Sequence, residues 1–381
     1  MPSGKPTLRD VAKAAGVSPM TASNALHGKP GVKDSTRAKV LAVAEKLDYR
    51  INLTASMLKS GRSNIIHIIV NEFDSPFYSK LVESLVTETT ERGLTPFVEQ
   101  TRYSPDAAKH ALANNPFSGQ LFDGEIIHAS GLNAGVPLSA INHGRPLVLI
   151  DACEETPTFD TVNFPNEDGA RAAVQHLIEC GCHRIAIVGD GYSPRTELAH
   201  VESSSGLRLR GASGALLDAG LPYDESTNFI GYGIEAGHAI AEAMLAVRAQ
   251  SADDTAESCS SDATQAEGST PAIDGIFCIN DYAAFGVIRG LADYGIRVPD
   301  DVRVIGFDGA TAGSYTTPTL STVQVNLNQL AQFALDMITR RVEQRDQGDG
   351  RSDESAGMPA TRATIGYTLV PRESTVGSAN R

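Results

Sequence analysis

Seven side chains have the types and the placement to hold a polyhydroxylated ligand: Phe77, Tyr78, His128, Asp151, Arg208, Tyr232 and Asp281. A polyol offers flat C–H surface, which packs on aromatic faces, and adjacent hydroxyls, which pair with planar groups such as carboxylate and guanidinium. Most of them fall at expected strand ends or loop starts, and Arg208 lies in an expected helix. Phe77 and Tyr78 stand in FDSPFY, His128 closes DGEIIH, Asp151 closes PLVLID, Arg208 opens R-x-x-G, Tyr232 precedes Gly237, and Asp281 ends IND; Asn71 and Phe73 are weaker neighbours. Aromatic rings with one arginine and two aspartates favour a neutral sugar over a phosphate or a purine. No glycine-rich phosphate loop is present, GDGYSP being too short. Plainer roles stay open: Phe77 as a core ring, Arg208 with Asp281 as a structural ion pair, His128 as a satisfied polar residue at a strand end.

Those residues need a scaffold of strand ends, and the pattern from Asn64 onward supplies one. Apolar runs alternate with helical stretches: NIIHIIV, a helix near Tyr78 to Arg92, TPFVEQ, a helix near Asp106 to Ala113, DGEIIHA and PLVLIDA. A second cycle follows, with a helix near Asn166 to Glu179, RIAIVGD, a helix near Ser205 to Asp218, FIGYG, a helix near Glu235 to Val247, and GIFCIND. RVIGFDG, LSTVQV and a helix near Leu327 to Gln344 complete it. This βαβ rhythm implies parallel sheets covered by helices, in two lobes of similar length, with ligand at the carboxyl ends of the strands. Two acidic, small-residue segments, 249–271 and 346–360, carry too little apolar content to pack and are expected to be surface loops.

Composition bounds the rest. The chain has 381 residues, 41% hydrophobic and 20% charged, enough for two or three domains with substantial cores. Five cysteines, an odd number without a CxxC pair, argue against a disulfide framework and a zinc cluster, and no metal site or cofactor is expected. No apolar run approaches a bilayer span, and MPSGKPTLRD lacks a signal-peptide core, so a soluble, cytoplasmic product is expected.

The net charge of −14 hides an asymmetry. Residues 1–62 hold 11 basic and 4 acidic side chains, a balance of +7, which leaves −21 on the remainder. A basic head on an acidic body points to a polyanion as the partner of the head. Within it, Thr7 caps a first helix with Asp10 at the third position, and Leu8, Val11, Ala12 and Ala15 repeat at helical spacing. Gly16 ends that helix, Ser18 caps a second, and Pro19 suits its first position. On the second helix, Pro19 to His27, the residues Ala22, Ala25 and Leu26 form an inward stripe, while Met20, Asn24 and His27 share another face that would meet a groove. A third helix is expected from Asp34 to Leu47, with Val40, Leu41, Ala44 and Leu47 apolar. The arrangement is a helix-turn-helix.

T-x-x-D-V-A-x-x-A-G-V-S, G-x-x-G-V, T-R-x-x-V and Y-x-x-N-x-x-A-x-x-L make residues 7–70 resemble the amino-terminal part of the LacI/GalR family. RIAIVGD, INDYAAFG, VIGFD, LSTV and PRES extend the resemblance to that family's effector-binding core. It implies an α/β protein with a three-helix helix-turn-helix head (1–50), a hinge helix or linker (51–62) and a bilobed, periplasmic-binding-protein-like core of two parallel-sheet subdomains (63–375). The implied lobes are 63–161 with 294–323 and 162–293 with 324–375, the chain crossing near Val162, Asp293 and Val323. It further implies base-edge contacts at Pro19, Met20 and Asn24 and phosphate contacts at Thr21 and Ser23; Thr7, Ser18 and His27 complete the candidate DNA-binding set. Asn52, Ala55 and Leu58 fall on the hinge, whose leucine enters the minor groove. Asn24 stands where the family commonly has Arg, which shifts the preference from guanine towards adenine. Ile51 replaces a common proline and Pro165 a common acidic residue.

The implied partners are double-stranded palindromic operator DNA, a small effector and a second copy of the chain, with repression relieved by a sugar. A regulator corepressed by a purine or another metabolite is the alternative. A solute-binding protein without a DNA role would need a signal peptide and no basic head. An enzyme is not expected, since GxGxxG after the first strand and GxSxG are both missing.

Overall fold

The computed structural model describes residues 6–26, 28, 30–49, 62–114, 121–130, 138, 144–244, 273–347 and 359–377. His27, Asn52, Ala55 and Leu58 lie outside them, as do most of the two acidic segments. The chain divides into two compact units at Ser63/Asn64.

The first unit holds α1 (Leu8–Ala15), α2 (Pro19–Leu26) and α3 (Asp34–Lys46). The Thr7–Asp10 pair forms a reciprocal capping box, and Gly16, at φ +68°, takes the left-handed conformation that ends α1. Val11, Ala12, Ala15, Ala22, Ala25, Val40 and Ala44 make the core. The α3 stripe is narrower than expected. Leu41 is 47% exposed and Leu47 also reaches solvent, because a 13-residue helix lying on two 8-residue partners has only a narrow face to bury.

The second unit contains two six-stranded sheets. Sheet one runs β11 (Arg362–Thr364), β5 (Asp160–Asn163), β4 (Leu147–Ile150), β3 (Gly124–His128), β1 (Ile65–Val70), β2 (Thr95–Gln100), all parallel. Sheet two runs β12 (Tyr367–Val370), β10 (Ser321–Val325), β9 (Arg303–Asp308), β8 (Gly275–Cys278), β6 (Ile185–Gly189), β7 (Asn228–Ile230), with only β12 antiparallel. Near-continuous apolar strands such as IIHIIV and IAIVG suit sheets buried on both faces.

The lobe boundaries differ from the expectation. Residues 294–323 belong to the second lobe, since β9 pairs with β8 and β10 with β9. Helix Leu327–Gln347 returns to the first lobe, where it packs on helix Pro76–Glu91 and on β3, β4 and β5. The crossings therefore fall between β5 and helix Asn166–Glu179, between β10 and helix Leu327–Gln347, and between β11 and β12, not near Asp293. The physical reason is local. Helix Asp281–Asp293 is the crossover joining neighbouring parallel strands β8 and β9, and such a connection keeps both in one sheet.

Candidate ligand cleft and nucleic-acid interface

A cavity of about 590 Å³ opens between the carboxyl ends of the two sheets' strands, and all seven candidate residues line it. In the first lobe, Pro76 at the start of its helix pre-sets the backbone that carries Phe77 and Tyr78 in the first turn. Phe77 meets Phe164 edge-to-face at 5.4 Å and Tyr78 at 5.2 Å. Tyr78 is buried, and its hydroxyl accepts from the Asn71 amide at 3.0 Å.

His128 ends β3, fully desolvated, and burial lowers its pKa to about 4, so the ring is neutral at physiological pH. Its Nδ1 receives the Ser130 backbone N–H at 3.3 Å. The ring proton therefore resides on Nε2, a buried atom with no hydrogen-bond partner among the described residues. With under 1 Å² of accessible surface, Nε2 is an unsatisfied donor enclosed within the cavity wall rather than open to the cavity.

A polar chain runs from this lobe into the other. Asp151, just past β4 at φ +61°, accepts from the Ser204 hydroxyl and from the Asn166 amide at 2.9 Å. The Asn166 side-chain oxygen takes Arg208 Nε at 2.9 Å, and Arg208 Nη1 donates to the Ile279 carbonyl and to Asp308 at 3.1 Å. The guanidinium lies 3.8 Å above the Phe307 ring. This alignment needs close helix approach, and Gly211 permits it: a Cβ there would sit 2.0 Å from the Glu167 carbonyl oxygen.

Two expectations change here. Arg208 pairs with Asp308 and not with Asp281. Asp281, buried in the first turn of its helix behind the Asn280 cap, spends its carboxyl on the Thr322 hydroxyl at 2.7 Å and the Ala310 N–H at 2.6 Å. It positions the loop after β9 rather than offering free oxygens to the cleft. Burial, and then the neighbouring Asp308, push its pKa up to about 8, while burial raises Asp308 to about 6 against the pull of Arg208. Gly306 makes the room, since a Cβ would come within 2.1 Å of the Asp281 carboxylate. Tyr232 is 48% exposed; its hydroxyl donates to Asp190 and its carbonyl accepts from Asn280 at 3.1 Å.

Other residues of the site were not singled out from the sequence. Asn166 and Asp308 are the central links of the polar chain; Asp308 closes VIGFD as Asp151 closes PLVLID, so the same strand-end signal was available. Phe164, Ser204, Glu72, Tyr103 and Tyr282 also line the cavity and carry no periodic signal. No cluster of His, Cys, Asp or Glu among the described residues could hold a metal ion.

In the head, α2 presents Met20 at 72% exposure beside exposed Pro19, with Thr21, Ser23 and Asn24 half-buried over the inward Ala22 and Ala25. Ser18 and Thr7 serve their helices directly: Ser18 Oγ accepts the Thr21 N–H at 3.0 Å and bonds the Thr21 hydroxyl at 2.8 Å, and Thr7 is tied to Asp10. This is a short helix with a mixed polar and apolar outer face, the shape that enters a major groove.

The family models of bacterial regulatory proteins of the lacI family and of the periplasmic binding protein-like domain match residues 7–52 and 174–375 respectively. The HTH-type transcriptional regulator DegA of Bacillus subtilis is 28% identical over 377 residues, covering 97% of this chain and 98% of that protein. The solved complex of the transcriptional regulator CelR with cellobiose aligns with a TM-score of 0.62 at 25% identity, covering 97% of this chain and 99% of that one. The lac repressor dimer bound to operator and an anti-inducer shares the fold, with a TM-score of 0.72 at 24% identity over 98% of this chain and 99% of that one. No described helix is long and apolar enough to cross a membrane. A helix-turn-helix head followed by a two-lobed ligand-binding core, matched over nearly the whole length, makes this chain a member of the LacI family of DNA-binding transcriptional regulators.

Proposed function

We propose that the protein is a homodimeric repressor whose affinity for a palindromic operator is lowered by a neutral sugar bound in the interlobe cleft. The observation that carries this reading is the first-lobe wall. Phe77 and Tyr78 line the cavity with ring surface, and the His128 ring beside them is neutral. Arg208, the one arginine or lysine among the described lining residues, is already engaged by Asp308, Asn166 and a backbone carbonyl, which speaks against an anionic ligand. The cellobiose bound by a CelR relative is a ligand of the same chemical kind.

In this reading Pro19, Met20 and Asn24 read base edges and Thr21 and Ser23 hold phosphates, while Thr7 and Ser18 keep the helices in place. Asn52, Ala55 and Leu58 act in the hinge, and His27 flanks the reading helix. Ligand shifts the equilibrium between body shapes only by its differential affinity for them. A gel-shift with the chain's own upstream DNA tests the whole. A specific complex that weakens steeply with salt and dissociates when a sugar is added is the expected result. A complex that forms only when ligand is added would establish corepression instead, and no specific complex at low salt would overturn the reading.

A further inference from the structure

The row of rings in the first lobe does not stop at the inner wall. It runs from Phe164 to Phe77 to Tyr78 and on to Tyr103, whose ring stands 6.2 Å from that of Tyr78 and is 47% exposed at the cleft mouth. Tyr103 is held there against local preference. Arg102 and Tyr103 both adopt left-handed backbone, at φ +53° and +57°, which side-chain-bearing residues take only where the surroundings impose it. The Arg102 N–H is bound to the Asn71 carbonyl at 2.6 Å, and Thr101 bonds the Asn71 side chain at 3.0 Å, so the turn is anchored to the residue that also supports Tyr78.

The Tyr103 hydroxyl donates to Glu72 at 3.3 Å. With its pKa pushed up to about 12 by burial, it stays protonated at physiological pH. From the other lobe, Tyr232 and Tyr282 line the same cavity and are also partly exposed, at 48% and 37%. Solvent-facing tyrosines from both lobes give a mouth that is apolar on ring faces and polar at the tips, a surface suited to a second hydroxylated ring and wasted on a ligand that ends at His128.

We propose that Tyr103 and Glu72, with Tyr232 and Tyr282 of the second lobe, form an outer subsite for a second sugar ring, so that the ligand is a neutral disaccharide or longer oligosaccharide. The proposal rests on the sugar reading of the cleft. Tyr103 supplies the platform, and Glu72 supplies an acceptor that would repel a phosphorylated sugar.

Calorimetric titration of the full-length protein with cellobiose, maltose and lactose, each against glucose and galactose, tests it. At least one disaccharide should bind ten-fold or more tighter than its constituent monosaccharides. Tyr103→Ala should abolish that advantage while leaving monosaccharide affinity, measured by competition if weak, unchanged; Tyr103→Phe should keep most of it. Monosaccharides that bind as tightly as disaccharides, or a Tyr103→Ala protein with an unchanged disaccharide-to-monosaccharide ratio, would overturn the outer subsite alone. If none of the five sugars binds the wild-type protein, the outer subsite falls together with the sugar reading.

Discussion

The two walls of the cleft are built on opposite principles. The second-lobe wall is self-sufficient: Arg208, Asn166, Asp308 and Asp281 all find partners in the protein, through distances of 2.6–3.1 Å. The first-lobe wall is aromatic, and His128 keeps one donor unmet. Satisfied polar groups hold a shape, whereas ring faces that line a cavity can pack on a ligand. The second wall therefore governs stability and the first governs recognition, and substitutions should separate the two.

The largest effect is expected from the satisfied wall. Arg208→Ala strands Asn166 and Asp308 in a buried setting and should lower unfolding stability by about 3–5 kcal/mol, read from urea midpoints. A loss under ~1 kcal/mol would mean that the chain of bonds contributes little. The second effect concerns pH. The Asp281 pKa is raised to about 8 from an ordinary 3.8, so its folded form favours the proton and its contribution to stability is lost as pH rises through that window. Asp281→Asn removes the penalty. Its stability relative to wild type should climb with pH from about 5 to 8, by at most ~1.4 kcal/mol per unit, and level off above; a flat difference would show that Asp281 is ionised throughout.

On the other wall the loss falls on binding as well. His128→Phe should weaken a bound sugar by about 10-fold in calorimetry and lower unfolding stability by about 1–3 kcal/mol, less than Arg208→Ala, because the Ser130 N–H and the Asn71 amide lose their Nδ1 acceptor. A stability loss matching that of Arg208→Ala, with sugar affinity unchanged, would erase the distinction between the walls. The smallest effect is spectroscopic. With a pKa near 4, the His128 ring should show no titration by NMR between pH 5.5 and 8, and sugar affinity should not follow the ordinary histidine curve.

How much of this was legible differs from region to region. In the head, Thr7, Asp10, Gly16, Ser18 and Pro19 act on neighbours within a few residues, so caps and helix limits could be read directly and the observed ends agree within a residue or so. In the body, strand ends exposed Phe77, Tyr78, His128, Asp151 and Tyr232 as cleft residues, because a parallel sheet presents its carboxyl ends to one crevice. Lobe membership of 294–323 was not legible, since an apolar run does not say which sheet it joins. Nor was the partner of Arg208: Asp308 lies a hundred residues away, and one aspartate at a strand end looks like another.

Periodicity, caps and charge balance thus marked out the elements and the basic reader, because those signals arise from interactions a few residues long, and the family came from the resemblance of its motifs. Only the folded chain decided which atoms are satisfied. Asn166 bridging Asp151 to Arg208, Asp281 withdrawn onto Thr322, and His128 left with a bare N–H depend on helices brought together from distant segments. Hydrogen-bond satisfaction is a property of three-dimensional neighbours, and no spacing along the chain encodes it.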